Sequence, residues 1–371
     1  MSSPARNPTG RGANRNHAGR GALTNPAGRF ESQSAERADD GWGSLEEDLP
    51  PLSTTVMPEQ ARSIISRNRS PDIPFEQSIN PYRGCEHGCI YCYARPSHAY
   101  LNLSPGLDFE TRLFFKANAA ERLEKELSRP GYRCRAITLG ANTDPYQPIE
   151  KRLHVTRDIL DVLRRFHHPV TIITKSALVE RDIDLLAEMA RERLAKVMFS
   201  ITTLDNDLKR TLEPRTASPA ARLRALAAVS AAGVPTGVMV APIIPAVNDG
   251  EIEAILERAA EAGVQSAGYT MLRLPYALKD LFEEWLHTHL PLRAEHVLNL
   301  IRDSRGGKLY DADFRTRLHG SGRYAELIAQ RFRLAKRRYG LARRGTEPLD
   351  ATRFRVPSAQ MELWDQAKNL T

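Results

Sequence analysis

The chain has 371 residues, 41% of them hydrophobic and 7% aromatic, which is enough for a large core and excludes disorder throughout. Its 53 Lys and Arg residues exceed its 45 Asp and Glu residues, a net charge of +8 that favours polyanionic partners only where it is concentrated. The longest apolar run, residues 237–247, contains two prolines and is too short to cross a bilayer, the first 30 residues hold no apolar signal segment, and four cysteines make no disulfide framework. We therefore expect a cytoplasmic protein without a membrane partner.

Residues 1–62 are rich in Arg, Gly, Ala, Asn and Pro and show no hydrophobic periodicity. This composition predicts a disordered, Arg/Gly-rich tail. Its basic character is compatible with nucleic-acid contacts, but a solvated linker explains it more simply. We assign no chemistry to this segment.

Residues 63–295 alternate short β-branched runs with longer periodic segments, which is typical of βα units. A helix is predicted over residues 153–166 from its apolar stripe, and Asn118 with Glu121 forms a capping box that predicts a helix ending at Leu127. About six parallel units would form either a partly closed barrel or an open doubly wound sheet, and periodicity leaves both open. The runs that indicate strands are residues 136–139, 170–174, 197–201, 236–241 and 269–272, with a further strand expected before Cys85.

Residues 296–371 are predicted to form a basic, helical C-terminal extension. Residues 302–344 hold 13 Lys or Arg residues against four acidic ones, a net charge of +9, so the surplus of the chain is concentrated here. Ile328, Phe332, Ala335 and Tyr339 form an apolar stripe within it. The segment is therefore either a docked helix with a solvated basic face or a surface that contacts phosphates of a nucleic acid.

The strongest chemical signal is the clustering of Cys85, Cys89 and Cys92 within eight residues, on the loop expected after the first strand. Several thiolates converging on a short loop suit a soft metal. A structural zinc site would need His87 or Cys134 as a fourth ligand, whereas an iron–sulfur cluster held by three cysteines leaves one iron open for a cofactor or substrate. The spacing by itself leaves both sites open.

The CxxxCxxC pattern with an aromatic residue before its last cysteine resembles the radical S-adenosylmethionine (SAM) superfamily. The resemblance covers about residues 73–274 and is closest to the spore photoproduct lyase-like branch, through NPYRGCEHGCIYCYAR, TDPYQPIE, ITKSALVERD, FSITTLDNDLKRTLEPRTASPAARL and VAPIIPAVND. It implies an α/β fold, a partial (β/α)6 TIM-like barrel flanked by the tail and the helical extension.

The resemblance also implies roles for individual residues. Cys85, Cys89 and Cys92 would hold a [4Fe-4S] cluster whose fourth iron chelates SAM, and Tyr91 would lie beside the adenine. The remaining residues implied in cofactor binding are Ala141, Asn142, Thr143 and Asp144 near the amino group of SAM, Lys175 and Ser200 in contact with SAM, and Arg215 near its carboxylate or ribose.

The activity implied is that of a radical SAM enzyme of lyase or transferase type. A reduced cluster would cleave SAM to a 5′-deoxyadenosyl radical, which abstracts hydrogen from an unknown substrate, with nucleic acid as one candidate class. A flavodoxin- or ferredoxin-type electron donor is implied as a partner. The hydrogen-donating cysteine of the lyase has no counterpart here, because residues 139–144 contain no cysteine and Cys134 lies too early in the chain. We interpret Cys134 as a structural or incidental thiol. The alternative function is a non-enzymatic, zinc- or iron–sulfur-stabilised nucleic-acid-binding protein.

Overall fold

The computed structural model describes residues 19–30, 52–341 and 348–357, and the strands and helices given below are those of these residues. The strands, in chain order, are β1 (Thr55–Glu59), β2 (Ser66–Arg67), β3 (Gln77–Ile79), β4 (Tyr82–Arg83), β5 (Arg112–Lys116), β6 (Ile137–Leu139), β7 (Val170–Thr174), β8 (Ala195–Ser200), β9 (Thr236–Ile243) and β10 (Ser266–Met271).

The helices connect these strands and then continue beyond the last of them. In chain order, they are α1 (Asp108–Thr111), α2 (Ala119–Leu127), α3 (Glu150–Leu153), α4 (Val155–Arg165), α5 (Ile183–Arg191), α6 (Asn206–Leu212), α7 (Pro219–Ala231), α8 (Ile252–Glu261), α9 (Leu278–His289), α10 (Ala294–Asp303) and α11 (Gly322–Arg338). None of them is both long enough and apolar enough to cross a bilayer, within the described part of the chain.

The main sheet has the order β10-β9-β8-β7-β6-β3-β2, and all pairs are parallel except β2 with β3. Its six parallel strands are the six that the sequence predicts. Because β10 and the β3–β2 pair stand at opposite ends of this order, the sheet is open along one side and forms a partial barrel. The carboxyl ends of all six parallel strands therefore face one mouth.

The apolar stripe that the sequence predicts over residues 153–166 is confirmed in α4, one of the helices that cover the main sheet. The stripe of α4 is buried from Val155, which is 7% exposed, to Phe166, which is 1% exposed and follows the last helical residue. It packs into the same core as Val170 and Ile172 of β7. A parallel sheet needs such cover because its strands are apolar on both faces.

A second, three-stranded sheet is not predicted by the sequence. β5 lies in its centre, parallel to β1 and antiparallel to β4. β1 belongs to the segment 1–62, which the sequence predicts as a tail, so the structure differs from that prediction over residues 52–62. The pairing joins positions more than 50 residues apart, and local periodicity carries no signal for it.

Residues 19–30 also differ from the predicted tail, because they form a strap that contacts α1 and α9. The Arg20 side chain is buried and donates to the carbonyl of Glu110 at 3.0 Å. Further along, Thr24 donates to Glu284 at 2.7 Å. The strap thus connects α1 with α9. Residues 1–18 and 31–51 lie outside the described residues.

The basic C-terminal segment docks on the main domain. In α11, Ile328 and Phe332 are buried against the main core, and Arg331 pairs with Glu253 of α8 at 2.6 Å. The predicted boundary between residues 295 and 296 falls inside α10, so it does not separate two units there. Residues 304–321 are not helical, and 342–347 and 358–371 of the predicted extension lie outside the described residues.

Candidate metal centre

The three neighbouring cysteines lie on a tight loop that begins directly after β4. The Gly88 N–H donates to the carbonyl of Cys85 at 3.3 Å and the Cys92 N–H to that of Cys89 at 3.2 Å, which folds the loop into two turns. Gly84 and Gly88 have φ values of +76° and +67°, a region that favours glycine. A Cβ on Gly88 would lie 2.6 Å from a buried carboxylate oxygen. The sequence of the loop is therefore matched to this close wrapping.

Burial raises the pKa of all three thiols in this loop. At Cys85 the charges of Asp144 and of the other two cysteines of the loop add to the effect of burial, and at Cys92 burial is the main cause. At Cys89 burial and the carboxylate of Glu213 raise the pKa to about 12. Neighbouring buried thiols become thiolates together only when a cationic metal offsets their charge. The donor set therefore fits an iron–sulfur cluster held by three cysteines.

Cys134 does not belong to this centre. It lies three residues before β6, whereas the cysteine loop is at the carboxyl ends of the parallel strands, roughly 20 Å away at 3.3 Å per strand residue. His87 contacts the carboxylate of Asp144 at 3.4 Å. No three His, Cys, Asp or Glu side chains of the described residues are arranged to hold a single metal ion, and the geometry gives no support to zinc closed by Cys134.

A buried ion pair stabilises the cysteine loop through hydrogen bonds to its backbone. Arg95, which is fully buried, pairs with Glu110 and donates to the carbonyl oxygens of Cys89 at 2.9 Å and Gly88 at 3.1 Å. Glu110 also accepts hydrogen bonds from the backbone N–H groups of the strap, at 2.9 Å and 2.8 Å. Neither residue is predicted from the sequence, because an Arg and a Glu fifteen residues apart have no pattern that marks them as partners.

The loop after β6 carries the residues expected near the amino group of SAM. Asn142 and Thr143 are held to the start of the cysteine segment, since the Asn142 N–H donates to Asn80 at 2.9 Å and the Thr143 hydroxyl donates to the carbonyl of Tyr82 at 2.9 Å. The neighbouring Ala141 carbonyl accepts a hydrogen bond from the Tyr93 hydroxyl. These contacts fix the loop beside the cysteines.

Asp144 is satisfied from several directions within the protein. Its carboxylate accepts hydrogen bonds from the Thr174 hydroxyl at 2.8 Å and from the N–H groups of Tyr146 at 2.9 Å and Lys175 at 2.7 Å. Burial opposes its ionisation, but His87 and these donors hold the pKa of Asp144 below its usual value. Its observed role is to join the ends of β6 and β7.

Lys175 and Tyr91 meet next to the cysteines. The Lys175 ammonium lies 5.8 Å from the centre of the Tyr91 ring, and the Tyr91 hydroxyl donates to Glu213 and contacts the Thr202 hydroxyl at 3.1 Å. Ser200, at the end of β8, is 4% exposed. The residues implied in SAM binding thus come from three strand ends and the cysteine loop, around one mouth.

Arg215 is directed to the cysteine loop itself. Its guanidinium pairs with Glu86 at 2.9 Å, and its backbone N–H donates to the carbonyl of His87 at 3.2 Å. The same Glu86 carboxylate accepts the Thr54 hydroxyl at 2.9 Å. In this arrangement Arg215 connects the segment after α6 to the loop.

Comparisons with known proteins agree with this geometry. The family model described as the Radical SAM superfamily matches residues 79–259. An uncharacterized protein of Mycobacterium tuberculosis is 38% identical over 265 residues, which cover 71% of this chain and 76% of the relative. An uncharacterized protein of Methanocaldococcus jannaschii is 30% identical over 173 residues, 47% of this chain and 62% of the relative. The chain belongs to the radical SAM superfamily.

Solved structures with the same fold place this radical SAM protein near spore photoproduct lyase. A mutant of that lyase aligns with a TM-score of 0.51 at 16% identity, over 77% of this chain and 79% of the other. The lyase complexed with dinucleoside spore photoproduct aligns with a TM-score of 0.50 at 18% identity, over 76% and 78%. The partial barrel expected from the sequence is thereby confirmed as a spore photoproduct lyase-like fold.

Membership of the radical SAM superfamily implies a [4Fe-4S] cluster and SAM as cofactors, and points to an enzyme. In this radical SAM protein, Cys85, Cys89 and Cys92 form the donor set that fits the cluster. The roles expected toward SAM all stay predictions, for Lys175, Ser200 and Arg215 as well as for Tyr91 and residues 141–144. Sequence reasoning missed Glu213 as a functional candidate, although it stands in the quoted segment and is fully buried.

Proposed function

We propose that this protein is a radical SAM enzyme whose cysteine loop holds a [4Fe-4S] cluster through Cys85, Cys89 and Cys92. The observation that carries the proposal is that three cysteines, Cys85 and Cys89 buried and Cys92 partly buried, lie on one tight loop at the mouth of a partial barrel. When bound, the cluster and SAM supply one electron and a sulfonium whose carbon–sulfur bond breaks to methionine and a 5′-deoxyadenosyl radical, which takes a hydrogen atom from the substrate.

The protein itself binds, orients and excludes water. We assign Lys175 to the carboxylate of SAM because its ammonium lies over Tyr91 at the mouth, and an ammonium pairs well with a carboxylate there. The ring of Tyr91, only 6% exposed as a residue, offers a flat face for an adenine. Burial of Cys89 and Ser200 keeps solvent away from the reacting atoms.

The hydrogen donor differs from the cysteine of the lyase. The loop after β6, residues 140–144, contains no cysteine, and Cys134 lies at the far end of that strand. This argues against photoproduct repair through a cysteine at this position. We leave the reaction as hydrogen abstraction of lyase or transferase type.

A low-potential donor of flavodoxin or ferredoxin type is proposed as the source of the electron. Clusters of this class can need potentials near or below about −400 mV, which few other cellular donors reach. Reduction of the loaded cluster by a flavodoxin with its reductase, followed by EPR, tests this partner.

A nucleic-acid substrate is proposed from two surfaces. The first is the basic face of α11, where Arg323, Arg333, Arg337 and Arg338 are exposed. The second, at the mouth, is an exposed cluster of arginine and aromatic rings in which the Arg29 guanidinium lies 4.5 Å from the ring centres of both Phe30 and Tyr276. Exposed rings beside cations suit stacked, unpaired bases. A cavity of about 300 Å³ beside it is lined by Leu274, Tyr276, Lys279, Lys308, Leu309 and Tyr310.

The deciding experiment measures 5′-deoxyadenosine by mass spectrometry after anaerobic reconstitution, reduction with dithionite and incubation with SAM. We expect product from the unmodified protein and from Cys134→Ala, and none from Cys89→Ala. Cys134→Ala is the matched control because it removes a thiol outside the loop. A reduced, EPR-visible cluster that fails to bind SAM would instead support the non-enzymatic, nucleic-acid-binding alternative.

A further inference from the structure

The end of α6 and the residues that follow it, 212–216, brace the cysteine loop through their backbone. The Ile90 N–H donates to the carbonyl of Leu212 at 3.0 Å, and the Arg215 N–H donates to the carbonyl of His87 at 3.2 Å. These bonds fall on two residues that flank Cys89. The brace therefore fixes the middle of the loop independently of any metal.

A buried ion pair anchors this brace. Glu213 and Arg222 are both fully buried, and their side chains meet at 2.5 Å. The other donors of Arg222 reach the carbonyl of Ser200 at 3.0 Å and the hydroxyl of Thr216 at 2.5 Å. One guanidinium therefore holds together the end of β8, the brace and α7.

The second carboxylate oxygen of Glu213 faces the mouth. It accepts hydrogen bonds from the hydroxyl of Tyr91 and from that of Thr202, the latter at 3.3 Å, and the two hydroxyls lie 3.1 Å apart. Burial opposes ionisation of Glu213, but Arg222, Lys175 and Tyr91 hold its pKa below the usual value, so the carboxylate is charged. The carboxylate thus bonds Tyr91, whose ring centre lies 5.8 Å from the Lys175 ammonium, and Glu213 follows Leu212, which is hydrogen-bonded to Ile90, the residue after Cys89.

We propose that Glu213 is a positioning residue of this site, which orients Tyr91 and Lys175 toward SAM and lowers the reduction potential of a cluster held by the loop. The inference rests on the proposed function for the presence of these two cofactors. Orientation follows from the hydrogen bond, because rotation of the Tyr91 side chain would leave this buried carboxylate oxygen with only the longer hydrogen bond from Thr202, at 3.3 Å. The potential follows from charge, because reduction adds an electron next to a buried anion.

The test compares Glu213→Gln with the unmodified protein in cluster-loaded form. We expect iron content to be retained, the midpoint potential in an EPR-monitored titration without SAM to move to a more positive value, and the Kd for SAM to rise about 10-fold or more. Tyr91→Phe should weaken SAM binding severalfold and leave the potential unchanged. Glu261→Gln, the same change at an exposed position of α8, is the matched control and should alter neither quantity.

Glu213→Gln leaves Arg222 charged and buried, which can prevent folding. The double variant Glu213→Gln/Arg222→Gln removes both charges, so it should weaken SAM binding while the potential stays near that of the unmodified protein. An unchanged Kd and an unchanged potential in folded Glu213→Gln overturn the inference, as does unweakened SAM binding in Tyr91→Phe and the double variant. If the unmodified protein holds no cluster or SAM, the proposed function itself fails.

Discussion

Replacing Glu110 with Gln should destabilise the protein strongly, because this carboxylate is the only charge placed to compensate Arg95 among the contacts of the described residues around it. Both side chains are 0% exposed, and Glu110 also accepts the N–H groups of Gly21 and Ala22 at 2.9 Å and 2.8 Å. Removing one partner of a buried ion pair costs about 3–5 kcal/mol. At about 2 °C per kcal/mol, suited to a large domain, the melting temperature should fall by roughly 6–10 °C.

The assay is thermal unfolding followed by circular dichroism, with iron release to a chelator measured in parallel. Glu121→Gln is the matched control, since its ion pair with Lys125 in α2 is exposed and contributes little to stability. Because Arg95 donates a hydrogen bond to the carbonyl of Cys89, Glu110→Gln should also loosen the cysteine loop and release iron faster than the control. A fall in melting temperature below about 2 °C, with unchanged iron release, would refute the reasoning.

Three further outcomes follow from contacts described above. Gly88→Ala should sharply reduce iron retention after reconstitution, because the new Cβ would lie 2.6 Å from Glu110 at a φ of +67°. Gly131→Ala is the control, since Gly131 has a φ of +77° but open space around it, and this variant should retain iron. Equal iron retention in the two variants would contradict the prediction. Ile328→Ala in α11 should lower the free energy of unfolding, measured by urea unfolding, by about 2–5 kcal/mol. Leu327→Ala, at the half-exposed neighbouring position, should change it little. Equal effects of the two substitutions would mean that α11 does not pack on the main core. Burial lowers the pKa of His168 from 6.5 to about 4, so between these pH values the unfolded chain binds a proton that the folded chain does not. The free energy of unfolding should therefore fall by about 3 kcal/mol as the pH drops from 6.5 to 4. His168→Gln should reduce this pH dependence in urea unfolding, and an unchanged pH dependence would contradict the pKa shift.

The strands and the cysteine loop could be predicted because their signals are local. Alternating β-branched runs such as β7, the stripe of α4 and three cysteines within eight residues each carry their meaning within a short stretch. The ends of the parallel strands share one edge of a sheet, so the proximity of the loops after β6, β7 and β8 follows from topology. These features account for the mouth of the site.

The supporting contacts could not be predicted because they join distant positions. Asn118 illustrates this: the sequence predicts it as a helix cap, but its side chain accepts the N–H of Ala61 at 2.8 Å and donates to the carbonyl of the same residue at 3.1 Å. Helix α2 nevertheless ends at Leu127, as predicted. The sequence around Glu110 and Glu213 likewise does not distinguish them from surface acids, because only the folded structure shows their buried arginine partners.

The strap couples the first described residues of the chain to the candidate metal centre. Gly21 lies so close to the loop that a Cβ there would be 1.7 Å from the carbonyl oxygen of Gly88, so no side chain fits between them. A pull on the strap is transmitted through Glu110 and Arg95 to the carbonyl of Cys89. Protease nicking or a bulky label within residues 19–30 would thus disturb a predicted cluster ligand about seventy positions further along, without touching any cysteine.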